Sequence, residues 1–238
     1  MPKTEMYMAA GNTHKGIRRT SNQDAIFMDD SQGIWIVADG MGGHNAGEIA
    51  ANIICKYLPT EIKQPSQTVT NAILKVHNQI QTASRQHTLY AGMGSTMILA
   101  VQQQQHLQIY WSGDCRAYLY TAGKLRLVSK DHSLIQKLKD DNIIDDQAAA
   151  KHPQRHLVTS CLGGSLAQPV IDNITLILGL NDLLLLCSDG LYNELNLQDM
   201  QAIISEKKAS ETRVNELIKQ ANQLGGKDNI SAILIAHR

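Results

Sequence analysis

The sequence is poor in aromatic side chains and carries no excess of charge of either sign. Aromatic residues make up 4% of the 238 residues, with Phe27 as the one phenylalanine. An extended base-stacking surface is therefore not expected. The 22 basic and 22 acidic side chains balance, whereas a nucleic-acid-binding protein usually needs a basic excess to neutralise phosphates. Nucleic acid is thus excluded as the expected partner.

Long apolar runs and paired cysteines are also missing. The longest aliphatic run, Leu183 to Leu186, is far shorter than the roughly 20 residues needed to cross a bilayer. The N-terminus, from Met1 to Glu5, lacks the apolar stretch of a secretory signal. Scattered cysteines with no CxxC pair favour reduced thiols over disulfides or a zinc site. We expect a cytoplasmic protein that does not bind membranes, with a monomer as the default state. The four cysteines are Cys55, Cys115, Cys161 and Cys187.

The apolar content, 43%, is sufficient for a substantial core. No Pro- or Ser-rich linker and no fixed repeat divides the chain, so one domain over residues 1–238 is expected. Short apolar runs with polar or Gly breaks predict strands, and the close spacing of the middle runs predicts antiparallel pairing. The polar run Gln102 to Gln105 is interpreted as an exposed hairpin turn. The predicted strands are Ile34–Ala38, Thr96–Val101, Leu107–Trp111, Ala117–Tyr120, Asp172–Leu178, Asp182–Cys187 and Ile230–Ala236.

Three stretches repeat apolar residues at helical spacing and predict one-sided helices. Pro59 is expected to end the first helix, and Gly225-Gly226 the third. A shorter helix is predicted over Leu197 to Ile204, while Asp131 to Ser165 shows only short helical turns. Runs of strands with one-sided helices between them predict an α+β fold in which helices sandwich the sheets. The three helical stretches are Ala46–Leu58, Ala72–Ala83 and Val214–Leu224.

Four aspartates stand where apolar strands end or begin. Asp39 and Asp189 each follow a strand and precede a glycine, Asp114 follows the run that ends at Gly113, and Asp228 precedes the last strand. Each has a plainer interpretation, because Asp-Gly is a common turn dipeptide. Asp114 could also pair with Arg116, and Asp228 could belong to a helix-to-strand turn. If the four converge, their mutual repulsion requires a cation, and oxygen ligands select Mg²⁺ or Mn²⁺. Two such ions lower the pKa of a shared water for attack on phosphorus.

Nine short motifs occur in order along the chain. Together they resemble the metal-dependent Ser/Thr protein phosphatase family (PPM, type 2C) in its short bacterial form, from about residue 10 to residue 236. The motifs are Gly11-x-x-His14-x-Gly16-x-x-Arg19-x-x-Asn22-Gln23-Asp24, Val37-Ala38-Asp39-Gly40-Met41-Gly42-Gly43-His44, Gly47-Glu48, Gly94-Ser95-Thr96, Gly113-Asp114-Cys115-Arg116-Ala117-Tyr118, Asp131-His132-Ser133, His152-Pro153-Gln154-Arg155, Cys187-Ser188-Asp189-Gly190-Leu191 and Gly225-Gly226-Lys227-Asp228-Asn229-Ile230.

The resemblance implies a fold of two packed antiparallel β-sheets with helices on both outer faces. It also implies a role for each matching residue around two Mn²⁺ or Mg²⁺ ions. Arg19 would bind the substrate phosphate through its guanidinium fork, the alternative being an ordinary surface salt bridge. The implied metal ligands are Asp39 bridging both ions, the Gly40 carbonyl on the second ion, Asp189 and Asp228 on the first, Asp24 in the outer shell of the second, and Asp114, helped by Asp189, on a third and weaker ion.

Some positions depart from the family pattern. Met41 stands where many eukaryotic relatives have a histidine proposed as general acid, and His44 is a possible substitute or a structural residue of the Gly-rich turn. Cys115 replaces the usual serine of Gly-Asp-Ser-Arg. Ser160-Cys161 stand where relatives often have Arg-Ala, beside the segment 131–165, which corresponds to a mobile flap that influences substrate choice in the family.

The resemblance implies a phosphatase acting on phosphoserine and phosphothreonine in proteins. A metal-bridging hydroxide would attack phosphorus directly, without a phosphoenzyme. The expected partners are phosphorylated proteins and a bacterial Ser/Thr kinase of the eukaryotic-like type. Two alternatives remain open: a non-catalytic module of the family that regulates a kinase or phosphoprotein, and a metal phosphatase for small phosphorylated metabolites.

Overall fold

Two five-stranded antiparallel sheets form the centre of the molecule. The structure, a computed structural model, describes residues 6–43 and 45–237. The first sheet has the order β1-β10-β9-β6-β7 and the second the order β2-β3-β4-β5-β8. In chain order the strands are β1 (Tyr7–His14), β2 (Asp24–Asp29), β3 (Ile34–Met41), β4 (Gly94–Gln103), β5 (His106–Ser112), β6 (Arg116–Thr121), β7 (Lys124–Leu127), β8 (Asp172–Leu176), β9 (Leu183–Cys187) and β10 (Ile230–His237).

Helices cover the outer faces of both sheets, which confirms the predicted architecture. Helices α1 and α2 share a core with the second sheet, and α6 and α7 share one with the first sheet. None of the helices in the described part of the chain is long and apolar enough to cross a membrane. The helices are α1 (Ala46–Ile62), α2 (Val69–Gln86), α3 (Leu134–Asp140), α4 (Asp146–Lys151), α5 (Asp189–Tyr192), α6 (Leu197–Ser205) and α7 (Ser210–Leu224), with a short 3₁₀ turn at Thr88–Tyr90.

The central strands are apolar throughout because both of their faces are buried. Successive side chains of a strand point to opposite faces. In β3, Trp35 and Val37 therefore enter the core between the sheets, while Ile36 enters the core under α1 and α2. All three are completely buried, and each such burial contributes about 1.5–3 kcal/mol of hydrophobic stabilisation. This layered core fixes the ends of the strands, where the polar residues of interest lie.

Three strands and one helix end differ from the sequence-based expectations. Strands β1 and β7 lie at the edges of the first sheet and β2 at an edge of the second, and their half-exposed sequences lack a continuous apolar run. Pro59 does not end α1, which continues to Ile62. Pro59 is buried near the end of that helix, where its missing N–H costs a single hydrogen bond. The expected hairpin turn is present at Gln104–Gln105, but Gln102 is buried in β4.

Candidate active site

The strand ends of both sheets surround one cavity of about 730 Å³. Six of the seven residues assigned to the site from the sequence line this cavity, and the seventh, Asp24, is buried behind it. His44 lies outside the described residues. The six residues that line the cavity are Arg19, Asp39, Gly40, Asp114, Asp189 and Asp228.

Asp39 and Gly40 are held at the end of β3 by tight backbone packing. The Ser95 hydroxyl donates a hydrogen bond to the Asp39 carbonyl at 2.9 Å, and the Gly40 N–H donates to the Gln23 carbonyl at 3.1 Å. A Cβ atom on Gly40 would lie 2.0 Å from the carbonyl oxygen of Gly47 in α1. Only glycine therefore allows this strand end to approach the helix so closely.

Asp24 belongs to the support of the cavity and not to its surface. It stands opposite Asp39 in the β2–β3 ladder. Its Oδ2 accepts hydrogen bonds from the hydroxyls of Ser188 at 2.7 Å and Ser231 at 2.6 Å. Its Oδ1 is buried and has no partner among the described residues. One buried carboxylate oxygen is thus available to a water or cation.

Asp189 and Asp228 occupy the opposite wall and already have polar partners. Asp189 begins the short helix α5, and its Oδ2 accepts a hydrogen bond from Asn193, four residues later, at 3.1 Å. Asp228 Oδ2 accepts a hydrogen bond from Arg19 Nη2 at 2.7 Å. This bond is the largest cause of a raised pKa for the Arg19 guanidinium. The Arg19 side chain is half exposed. It therefore forms an ion pair with Asp228 and is also accessible from the cavity that it lines.

Asn229 fixes the loop that carries Arg19. Its Nδ2 donates to the carbonyls of Lys15 and Ser21, both at 2.9 Å. Its Oδ1 accepts from the Gln23 N–H at 2.8 Å. Because Asn229 is 5% exposed, these three hydrogen bonds replace water for three backbone groups of the β1–β2 loop. The sequence motif included Asn229, but its spacing alone did not indicate this function.

Arg116 does not pair with Asp114, contrary to the plainer interpretation of the sequence. Its guanidinium binds Asp131 in a bidentate manner, with Nε–Oδ1 at 2.9 Å and Nη2–Oδ2 at 2.7 Å. It also lies over the Tyr192 ring, 3.7 Å from the centroid. The Tyr192 hydroxyl in turn donates to the Asp114 carbonyl at 2.9 Å. Asp114 is therefore held through its backbone, and the residue lines the cavity.

Burial and mutual repulsion dominate the electrostatics of the carboxylates. The pKa of Asp39 is raised well above its ordinary value, first by burial and then by the neighbouring negative charges. Burial is also the largest cause for Asp24 and Asp114, where it raises the pKa to about 7, and for Asp189, where the pKa reaches about 6. A cation in the cavity would stabilise the charged forms.

The donor set fits a hard divalent cation. Four aspartates and Gly40 line the cavity, and the oxygen donors that these residues offer bind Mg²⁺ or Mn²⁺ in preference to zinc. Within residues 6–43 and 45–237, however, no three acidic, histidine or cysteine side chains already converge as a metal shell. Asp228 is instead turned to Arg19, and Asp24 to its two serines.

Several cavity residues were given no function in the sequence analysis. Asn193 could have been found, because Asp189 and Asn193 are four residues apart in a helical turn, a spacing that brings side chains together. Glu194 and Lys227 form an ion pair at 3.7 Å on the cavity wall. The flap segment 131–165 contributes Arg155 to Val158 to the lining, although its sequence signal was weak.

Comparison with known proteins agrees with this site. The family described as protein phosphatase 2C matches residues 11–234, and the chain belongs to this family. The serine/threonine phosphatase stp of Listeria welshimeri is 33% identical over 235 residues, which cover 94% of this chain and 93% of that protein. The S. agalactiae serine/threonine phosphatase has a TM-score of 0.90 at 28% identity, covering 98% of this chain and all of that one. Stp1 of Staphylococcus aureus has a TM-score of 0.89 at 28% identity, covering 98% and 96%.

These similarities confirm the resemblance found in the motifs and define the class of enzyme. The chain is a serine/threonine phosphatase of the 2C type. Because the similarity extends over nearly the whole chain, it includes every loop that contributes to the cavity.

Proposed function

We propose that Asp39, the Gly40 carbonyl, Asp189 and Asp228 hold two divalent cations, Mn²⁺ or Mg²⁺, with which the enzyme hydrolyses phosphoserine and phosphothreonine in proteins. The observation that carries this proposal is one cavity lined by four aspartate carboxylates and by Gly40, in a phosphatase fold. Bound there, the cations would supply a nucleophile from water at neutral pH and positive charge opposite the phosphoryl oxygens.

The remaining residues have supporting functions in this proposal. Arg19 binds two phosphate oxygens with its guanidinium fork, exchanging its present hydrogen bond with Asp228 for the substrate. Asp24 orients the water around the second cation with its unpartnered Oδ1. Asp114, with Asp189, would hold a third and weaker cation, since both residues line the cavity.

The cysteines support direct attack by water on phosphorus. Burial is the largest cause of a raised pKa for all four thiols, including Cys115 beside the cavity. A raised pKa disfavours the thiolate, which is the nucleophilic form. Among the described residues, no cysteine lines the cavity either, so the cysteines offer no support for a phosphoenzyme.

The proposal also covers the partners of the enzyme, its oligomeric state and its cellular compartment. Its substrates are phosphoproteins, and a Ser/Thr protein kinase of the eukaryotic-like type is proposed to supply them. A monomer in the cytoplasm is the proposed state. All four cysteines are free, which supports a reducing compartment.

The test is phosphate release from a phosphothreonine peptide with Mn²⁺ and with EDTA. We expect Asp39→Asn to lower kcat by about a thousandfold or more, since several kcal/mol of transition-state stabilisation depend on the cations. Asp182→Asn is the matched control, because Asp182 directly precedes β9 and lies outside the cavity lining. Absence of turnover in folded, Mn²⁺-loaded wild-type protein would favour the non-catalytic alternative. Turnover of p-nitrophenyl phosphate without peptide hydrolysis would favour a metabolite phosphatase.

A further inference from the structure

A second cavity of about 240 Å³ adjoins the active site beneath the flap segment. Its outer wall comes from α3, α4 and the turn that follows, and its inner wall from β6 and α5. The two cavities share several lining residues, so they form one continuous depression. The shared residues are Asp114, Arg155, His156, Asp189 and Asn193.

Arg155 differs from the other cationic side chains of this depression. Each lysine and the other two arginines of its lining form an ion pair, whereas Arg155 has no carboxylate within 4.0 Å in the part of the chain that the structure describes. The four pairs are Arg19–Asp228 at 2.7 Å, Arg116–Asp131 at 2.7 Å, Lys139–Asp146 at 2.6 Å and Lys227–Glu194 at 3.7 Å.

The turn that carries Arg155 is well fixed. The Gln154 N–H donates to His152 Nδ1 at 3.2 Å, and the Arg155 N–H donates to the His152 carbonyl at 3.1 Å. Pro153 restricts the backbone further. The turn is joined to α3 by a hydrogen bond of 2.9 Å from the Leu134 N–H to the Leu157 carbonyl. An exposed guanidinium is thus presented from a restrained backbone, which lowers the entropic cost of binding a partner.

The acidic residues around Arg155 do not preclude binding of an anion. Asp131 is neutralised by its bidentate pair with Arg116. Asp114 and Asp189 are the proposed cation ligands, so their charge is compensated when the enzyme is loaded. The unpaired charge that remains at the junction of the two cavities is the positive charge of Arg155.

We propose that Arg155 binds an anionic side chain close to the phosphorylated residue of the substrate, with the flanking peptide in the second cavity. The preferred substrates therefore carry a carboxylate or a second phosphate beside the phosphorylated serine or threonine. A planar guanidinium binds either group through two parallel hydrogen bonds. This specificity rests on the proposed function of the adjoining cavity.

The experiment uses phosphothreonine peptides with one variable position within about three residues on either side, a reach of roughly 10 Å in an extended chain. The variable residue is alanine, glutamate, phosphoserine or lysine, and kcat/KM is measured with Mn²⁺. At the position that faces Arg155 we expect the wild type to favour glutamate over alanine by about two- to fivefold, the range for a solvent-exposed ion pair. A still larger preference for phosphoserine would identify doubly phosphorylated substrates.

Three variants make the test specific. In Arg155→Gln the ratio of kcat/KM for glutamate over alanine falls to about one, and in Arg155→Glu the preference moves to lysine. Lys151→Gln is the matched control, because it removes a flap charge that does not line either cavity, and it retains the wild-type ratio. A wild-type enzyme with no acidic preference at any position, or an undiminished preference in Arg155→Gln, would overturn this inference alone. Absence of Mn²⁺-dependent turnover of p-nitrophenyl phosphate would overturn the proposed function as well.

Discussion

Replacing Asn229 with alanine tests whether one buried side chain holds the Arg19 loop. The substitution removes hydrogen bonds of 2.8, 2.9 and 2.9 Å to Gln23, Lys15 and Ser21. A typical hydrogen bond contributes about 0.5–1.5 kcal/mol net, and Asn229 is 5% exposed, so water replaces these bonds poorly. We expect the free energy of unfolding to fall by about 2–4 kcal/mol.

Urea and thermal denaturation measure this loss, which corresponds to a decrease of about 5–15 °C in Tm for a chain of this size. Because the loop carries Arg19, KM for a phosphopeptide is expected to rise as well. Asn215→Ala is the control, since Asn215 is exposed and accepts one hydrogen bond, from Asn12 at 2.8 Å. A change within about 0.5 kcal/mol is expected there. Equal losses in the two variants would refute the reasoning.

Three further predictions concern the cavity wall. Gly40→Ala is expected to cost at least about 2 kcal/mol of stability, since its Cβ would meet a backbone oxygen at 2.0 Å. Gly43→Ala is the control for this denaturation experiment, because the space around Gly43 is open. Equal stability of the two variants would contradict the prediction. Tyr192→Phe removes the hydrogen bond to the Asp114 carbonyl and is expected to cost about 1 kcal/mol, while an unchanged urea midpoint would argue against this role. The pKa of Asp24 is raised to about 7, so the folded, metal-free chain retains a proton there that the unfolded chain releases near pH 4. That contribution to stability is complete below pH 4 and is lost as the pH rises through 7. Urea denaturation of metal-free wild type and Asp24→Asn from pH 5 to pH 8 checks this. The free energy of unfolding of the wild type should fall relative to that of Asp24→Asn as the pH rises, whereas a constant difference between the two would contradict the prediction.

The sequence predicted the central strands and the long helices because their burial produces strong patterns. Strand β9 is a run of four leucines and a cysteine with every residue buried, and α2 repeats buried residues at helical spacing. Edge strand β2 was missed because one side of it meets no neighbouring strand and its sequence mixes apolar and acidic residues. The prediction that α1 ends at Pro59 was wrong, because helix propensity cannot show that the proline ring is buried in the folded protein.

The site was predictable where motifs carry the chemistry and unpredictable where the fold brings distant residues together. The Asp-Gly motifs indicated Asp39 and Asp189, and the structure places both on one cavity. The pairing of Arg116 with Asp131 joins β6 to the start of the flap segment, and the sequence offered Asp114 as a nearer carboxylate. Among the described residues, Arg155 is unpaired because several nearby carboxylates bind other arginine and lysine side chains. Those pairings depend on tertiary structure and could not be read from the sequence.

The most direct test of the proposed active site is the number of Mn²⁺ ions bound per chain, measured by equilibrium dialysis of wild type and Asp39→Asn. The proposal predicts about two tightly bound ions in the wild type, because the cavity carboxylates need cations to remain charged. It predicts the loss of at least one ion in Asp39→Asn, with Asp182→Asn unchanged. No tight binding by the wild type, or equal binding by wild type and Asp39→Asn, would contradict it.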